Sequence, residues 1–141
     1  MANDGSDFAR SMSIATSGLR AQAGRMRVIS ENIANADSTA ASAGGDPYRR
    51  KVPTFSSELD RSLDAKVVTL GRVRPDQSAF RVKHEPSNPA ADAAGNVKYP
   101  NVNSVVEMTD MREAQRSYEA NLNIISATRR MIQRTLDILK A

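Results

Sequence analysis

The chain predicts a mainly α fold: long N- and C-terminal helices that pair as an antiparallel coiled coil, with a small, irregular β-hairpin and loop segment between them. Three observations predict it. From Phe8, an apolar stripe runs through Met12, Ala15, Leu19, Gln22, Met26, Ile29 and Ile33 at alternating spacings of four and three. A second runs through Met108, Met111, Gln115, Tyr118, Leu122, Ile125, Arg129, Ile132, Leu136 and Leu139. The stretch between them is rich in Gly, Pro and Asp and carries neither pattern. Side chains at those spacings line one seam of a helix, so each stripe wants a partner helix, and a returning middle segment lets the two stripes serve each other. The expected division is an N-terminal core helix at 1–36, a middle β and loop segment at 37–103, and a C-terminal core helix at 104–141.

The first helix is expected at about residues 7–36, with Asp4, Ser6 and Asp7 offering N-cap oxygens before Phe8. Gly18 and Gly24 fall inside it, each costing about 1 kcal/mol against Ala, so the helix alone in water is expected to fray. A second stripe, Ile14, Ala21 and Val28, widens the apolar surface enough for two faces to meet two neighbours. In the middle, Gly44-Gly45-Asp46-Pro47 reads as a turn, and Pro86, Pro89, Gly95 and Pro100 punctuate a later loop. Strand signals cover 48–55, 66–73 and 79–85, where Phe80, Val82 and His84 alternate. The last two flank Arg74-Pro75-Asp76-Gln77, a hairpin connection by composition, while 57–65 reads as a short helix or a mobile loop. Ser104 and Glu107 fit a capping box that opens the last helix. Acids Glu107, Asp110 and Glu113 early and bases Arg129, Arg130, Arg134 and Lys140 late suit its dipole. At 1.5 Å per residue this helix reaches roughly 54 Å, far more than a small domain needs. Ile124, Met131 and Ile138 give it a second stripe, and Arg129 within the first either snorkels out of the seam or, the favoured reading, pairs across an interface and fixes register.

Composition excludes more than it assigns. Aromatics are only 4% and the apolar residues sit on thin stripes, so a lone copy buries little and keeps seams for neighbours. The net charge of +4 is spread as +1, +2 and +1 over the three segments, without the dense basic face that phosphate binding needs, so no nucleic-acid partner is expected. The absence of cysteine removes disulfides, thiolate catalysis and Cys-ligated zinc. No apolar run nears the ~20 residues of a membrane span, so no direct membrane insertion is expected, and the acidic, polar start predicts no cleavable export signal. Convergent catalytic groups are missing. His84 is the only histidine, Asp60 and Asp64 fall on a solvated face, and Gly44-Gly45 lacks the Lys-Ser/Thr of a phosphate loop. No enzyme activity, cofactor or metal is expected. The residues alone leave two classes open: a subunit of an assembly, and a soluble coiled-coil adaptor.

One stretch decides between them by resemblance. Val28 to Ser38 contains Ser30-Glu31-Asn32-Ile33-Ala34-Asn35, which resembles the Ser-x-Asn-x-Ala-Asn signature of the axial proteins of the bacterial flagellum, the rod, hook and hook-associated family. Pro47 to Lys51, His84 to Asp92, Gly95 to Asn103 and Arg116 to Asn121 resemble the proximal rod members, as does the short length. His84 stands where that pattern has Tyr and Tyr99 where it has Met, both still interface-sized. The resemblance implies a structural subunit whose terminal helices form the inner core of a helical tube while the middle segment faces outward. It implies export by the flagellar type III apparatus without a cleaved signal, polymerisation in the periplasm, and partners that are other copies and other rod proteins. The stripe residues, with Asn32 and Asn35 of the signature, are then the expected assembly interface.

Overall fold

The computed structural model describes residues 4–140. Along the chain run α1 (Asp4–Ala34), β1 (Lys51–Val52), β2 (Phe55–Asp60), β3 (Ala65–Leu70), β4 (Arg74–Pro75), β5 (Arg81–His84), β6 (Asn96–Tyr99) and α2 (Ser104–Lys140). The fold is two long helices with a small antiparallel-strand region between them, as the sequence predicts at that level. These elements gather into two compact units that cut across the three consecutive segments. One holds residues 4–26, 54–72 and 113–140, and the other residues 27–53 and 73–112.

In the first unit, β2 and β3 form an antiparallel hairpin in register from Phe55 opposite Leu70 to Asp60 opposite Ala65. This corrects the expected helix or mobile loop at 57–65. The turn is made locally: Asp60 Oδ1 accepts from the Ser62 amide at 2.9 Å and the Ser62 hydroxyl at 2.6 Å, and Asp64 takes a left-handed backbone, φ 48°. Three contacts seat the hairpin on α1. Arg10 Nε donates to the Leu63 carbonyl at 2.6 Å, the Val68 amide donates to Ser17 Oγ at 3.2 Å, and Leu70 lies against Gly24. The two helices meet in the same unit, where Asn121 lies over Gly18 and Arg25 pairs with Glu113 at 3.4 Å. Rising positions on α1 thus meet falling positions on α2. A Cβ at residue 18 would stand 2.7 Å from Asn121 Nδ2, and one at residue 24 would stand 2.6 Å from a Leu70 methyl. The two glycines read as weak points are places of close approach.

The second unit pairs β1 with β4, Lys51 opposite Pro75, and β5 with β6, Arg81 opposite Tyr99. The hairpin expected across 74–77 is therefore absent: that stretch returns to β1, through an Asp76 amide bonded to the Arg50 carbonyl at 2.8 Å. The partner of β5 lies instead in the Gly95–Asn103 stretch that reads as loop. Gly95, at φ 81°, closes the intervening loop, with the Glu85 amide donating to its carbonyl at 2.9 Å. A small core of Val28, Ile29, Ala36, Ala90, Val97, Pro100 and Val102 fills this unit.

The bounds of α1 and the cap of α2 differ from the sequence reading for local reasons, while α2 starts at Ser104 as expected. Ser6 and Asp7 lie within α1, where Asp7 pairs with Arg10 at 3.6 Å, and residues 1–3 lie outside the described residues. Asn35 ends α1 early, its side chain and backbone amides both donating to the Glu31 carbonyl. The cap of α2 is Asn103, whose Oδ1 accepts from the Val105 and Val106 amides at 3.1 and 3.4 Å. Glu107 does not reach back as a capping box requires, because its carboxylate turns inward. Among the described residues, no helix is long and apolar enough to cross a membrane and no acid, His or Cys cluster could hold a metal ion.

A buried polar junction and the exposed faces of the last helix

Asn32 and Glu107 are the largest polar side chains fully buried in the second unit, each about 1% exposed. Burying an amide and a carboxylate is tolerable only if every donor and acceptor is met. Asn32 meets all four of its own. Its Nδ2 donates to the Lys51 carbonyl at 2.8 Å and to Glu107 Oε2 at 3.0 Å, and its Oδ1 accepts from the Tyr48 hydroxyl at 2.8 Å and the Lys51 amide at 2.9 Å. One side chain thus ties the last turn of α1 to β1 and to the first turn of α2.

Glu107 Oε1 accepts from Arg50 Nε at 2.6 Å, and Arg50 also faces Asp76 at 3.3 Å and Asp110 at 3.8 Å. Burial works against the charge on Arg50, but the bonds to Glu107 and then Asp76 more than offset it and hold the guanidinium above its ordinary range. Asp76 is held below its ordinary value, first by the Ser78 amide and hydroxyl and then by Arg50. Tyr48 is pushed up to about 12, mainly by burial and then by the negative charges of Glu31 and Glu107. The network is assembled from residues far apart in the chain, and removing one partner would leave a buried charge or amide unmet.

The expected interface residues divide sharply by exposure. On α1, Ala15 and Ile29 are buried, while Phe8, Met12, Leu19, Gln22, Met26 and Ile33 are half-buried. On α2, Ile125 is buried and Met111, Tyr118 and Ile132 are half-buried, whereas Met108, Gln115, Leu122, Arg129, Leu136 and Leu139 are exposed. The buried seam of α2 runs through Glu107, Met111, Ala114, Tyr118, Asn121, Ile125, Thr128 and Ile132, so every second member stands one residue before the expected one. Ala114 and Thr128 are buried and Asn121 lies over Gly18 of α1, while bulky Met108 and Leu122 are left outside. Asn32, which ties α1 to β1 and α2, is inaccessible, and Asn35, which bonds to Glu31 at the end of its own helix, is half-buried. Sequence reasoning gave no site role to Arg50, Tyr48, Ala114 or Thr128, and gave Glu107 the wrong one. Glu107 alone carried a signal, read as a cap because its partners Arg50 and Asn32 lie distant in the chain.

At 100° per residue, Met108, Leu122 and Leu136 form a stripe roughly 75° to one side of the buried seam, and Ile124, Met131 and Ile138 one roughly 90° to the other. All six side chains are exposed. The helix thus offers apolar surface on both flanks of the seam it has already buried.

Residues 12–40, which contain the Asn32 junction, match the family model described as flagella basal body rod protein. Residues 93–138, which contain most of α2, match that described as flagellar basal body rod FlgEFG protein C-terminal. The chain is 52% identical to the flagellar basal-body rod protein FlgC of Agrobacterium fabrum, over 91% of this chain and 92% of that one. It is 37% identical to the protein of that name in Bacillus subtilis, over 92% and 97%, and 36% identical to that in Aquifex aeolicus, over 95% and 98%. With both helix regions matched and the relatives covered nearly end to end, the chain belongs to the FlgC family of flagellar basal-body rod proteins.

Proposed function

We propose that copies of this chain polymerise into the proximal rod of the flagellar basal body, the part of the drive shaft that carries motor torque toward the hook. The family is structural, and the chain is a rod subunit and not an enzyme. The observation that carries the polymerisation is the pair of exposed apolar stripes beside the buried seam of α2. Met108, Leu122, Leu136, Ile124, Met131 and Ile138 have no reason to be apolar on a monomer, since exposed apolar surface of this extent marks a place for a partner. Stripes on two different flanks meet unlike surfaces on neighbouring copies, and such heterologous contacts extend without closing.

In this reading α1 and α2 pair as an antiparallel coiled coil, supported by Asn121 over Gly18 and by Arg25 with Glu113. Ala15, Ile29 and Ile125 serve that pairing, while the exposed Met108, Leu122, Arg129, Leu136 and Leu139 face neighbours. The partners are other copies and other rod proteins. The chain reaches the periplasm through the flagellar type III apparatus. An isolated adaptor would give a discrete small oligomer, and membership of a rod family weighs against it.

Swimming and basal-body purification from cells carrying Leu122→Asp or Leu136→Asp test the reading. Both positions are exposed, so the subunit still folds, and a carboxylate in a dry inter-subunit seam costs several kcal/mol. The expected result is an exported protein, no rods and no motility; normal rods in both mutants would overturn the assignment of this face to assembly.

A further inference from the structure

The first unit holds an open groove of about 500 Å3 between α1 and β3. Its floor is the smooth helix surface of Thr16, Ser17 and Ala21, and Val67 and Leu70 form its wall. Arg20 and Asp60 are the charged residues of its lining. Asp60 is held charged chiefly by the bond from the Ser62 hydroxyl and then by the Ser62 amide. Nothing in the described chain fills the space.

The end of α2 lacks cover in turn. Met131 is 55% and Ile138 75% exposed, and every residue from 133 to 140 is exposed. The register explains this: with Asn121 over Gly18 and Arg25 at Glu113, position 135 falls opposite about residue 4. The same register puts the groove alongside the middle of α2, so the face of Met131 and Ile138 lies about 15–20 Å further along a straight helix. A chain cannot fill its own groove with its own tail.

We infer that the groove takes the Met131 and Ile138 face of α2 from a second copy of this chain. The shapes agree, since a cleft with a floor of small side chains admits a helix closely and Met and Ile suit an apolar wall. The charges agree too. Arg134 stands three residues after Met131 and four before Ile138, on the same face, and meets Asp60 in the lining. Each copy then presents one groove and one tail, a head-to-tail contact that repeats without closing. The inference rests on the rod reading above and names one contact within it.

The chain has no cysteine, so engineered pairs report cleanly. Thr16→Cys on the floor with Ile138→Cys on the tail, in one chain, is expected to give a ladder of crosslinked multimers when basal bodies are oxidised, and neither single variant gives more than background. A second pair, Val67→Cys with Met131→Cys, covers failure of the first to assemble. Asp60→Arg or Arg134→Asp alone should lower the yield severalfold, and the two together should restore it. Monomer only, an internal crosslink within one chain, or a crosslinked band at the mass of a different rod protein would each overturn the proposal. Absence of the unmodified chain from purified basal bodies would instead refute the rod reading, so the two failures are distinguishable.

Discussion

Glu107→Gln is the smallest change that tests the polar junction. The two side chains match in size, but both carboxylate oxygens of Glu107 accept, one from Arg50 Nε at 2.6 Å and one from Asn32 Nδ2 at 3.0 Å. An amide has one acceptor oxygen, so whichever way it turns, its NH2 group meets another donor. Asn32 cannot flip to help, because its Oδ1 is fixed by Tyr48 and the Lys51 amide. Breaking a buried ion pair on one side costs about 3–5 kcal/mol. Arg50 is 22% exposed and keeps Asp76 and Asp110, which places the expected loss near the lower end, about 3 kcal/mol. Urea unfolding followed by circular dichroism measures it, and exchange of the Arg50 and Lys51 amides, which donate to Asn101 and Asn32, reports the site locally. Glu119→Gln on the exposed face is the control, with a change within about 0.5 kcal/mol. If Glu107→Gln stays within that range and the two amides exchange as before, the junction does not hold this unit together.

Gly18→Ala should destabilise, because the new Cβ meets the Asn121 amide, itself bonded to the Ser117 carbonyl, and Asn121→Ala should relieve much of it. Gly24→Ala should be near neutral in the same melts, since only a Leu70 methyl must move and Ala favours the helix by about 1 kcal/mol; equal losses at the two sites would refute the distinction. For Tyr48, a folded-state value raised to about 12 means that its contribution is intact below the ordinary ~10 and is lost as pH rises toward 12. Phenolate absorbance should show it ionising late, and Tyr48→Phe should shrink the alkaline loss of stability. Asp76 has the opposite sign, its contribution present above about pH 4 and lost as pH falls below. Gln22 Oε1 is buried without a hydrogen-bond partner, so Gln22→Leu is expected to raise stability by about 1 kcal/mol; an unfolding midpoint that falls would show that the amide is satisfied in solution. Amides of 133–140 should exchange fast in a monomer and slowly in assembled rods, and early protection would mean that the tail is covered before assembly.

The two helices were legible because a four-three repeat of apolar residues marks a helix whatever it packs against. The phase of α2 was not. Met108 and Leu122 are more apolar than Glu107 and Asn121, and a hydrophobicity pattern assigns the seam to them. The structure instead turns Glu107 to Arg50, a partner 57 residues away in sequence, and sets Asn121 against a glycine. The hairpin turn was missed for a related reason: Asp60, Ser62 and Asp64 look like a solvated charge cluster until one sees that Asp60 accepts from its neighbour two residues on. The signature around Asn32 named a family before it explained itself. Its physical content is a fourfold hydrogen-bonded amide whose partners lie on β1, on the loop before it and on α2.

That amide has a consequence along the whole of α2. A helix turns 100° per residue, so fixing the direction of one side chain fixes all the others. With Glu107 held inward by Asn32 and Arg50, the stripe of Met108, Leu122 and Leu136 emerges on one flank and that of Ile124, Met131 and Ile138 on the other. Had Glu107 turned back to cap Ser104, the apolar Met108 and Leu122 would be the natural seam and only one exposed stripe would remain. Apolar contacts alone do not choose between these phases, because Leu and Met pack almost as well at either. A buried, fully paired polar group does choose, since the wrong phase strands a carboxylate and an amide without partners. Under the assembly proposed above, the signature at the end of α1 thus sets which face of the first turns of α2 is left for a neighbour.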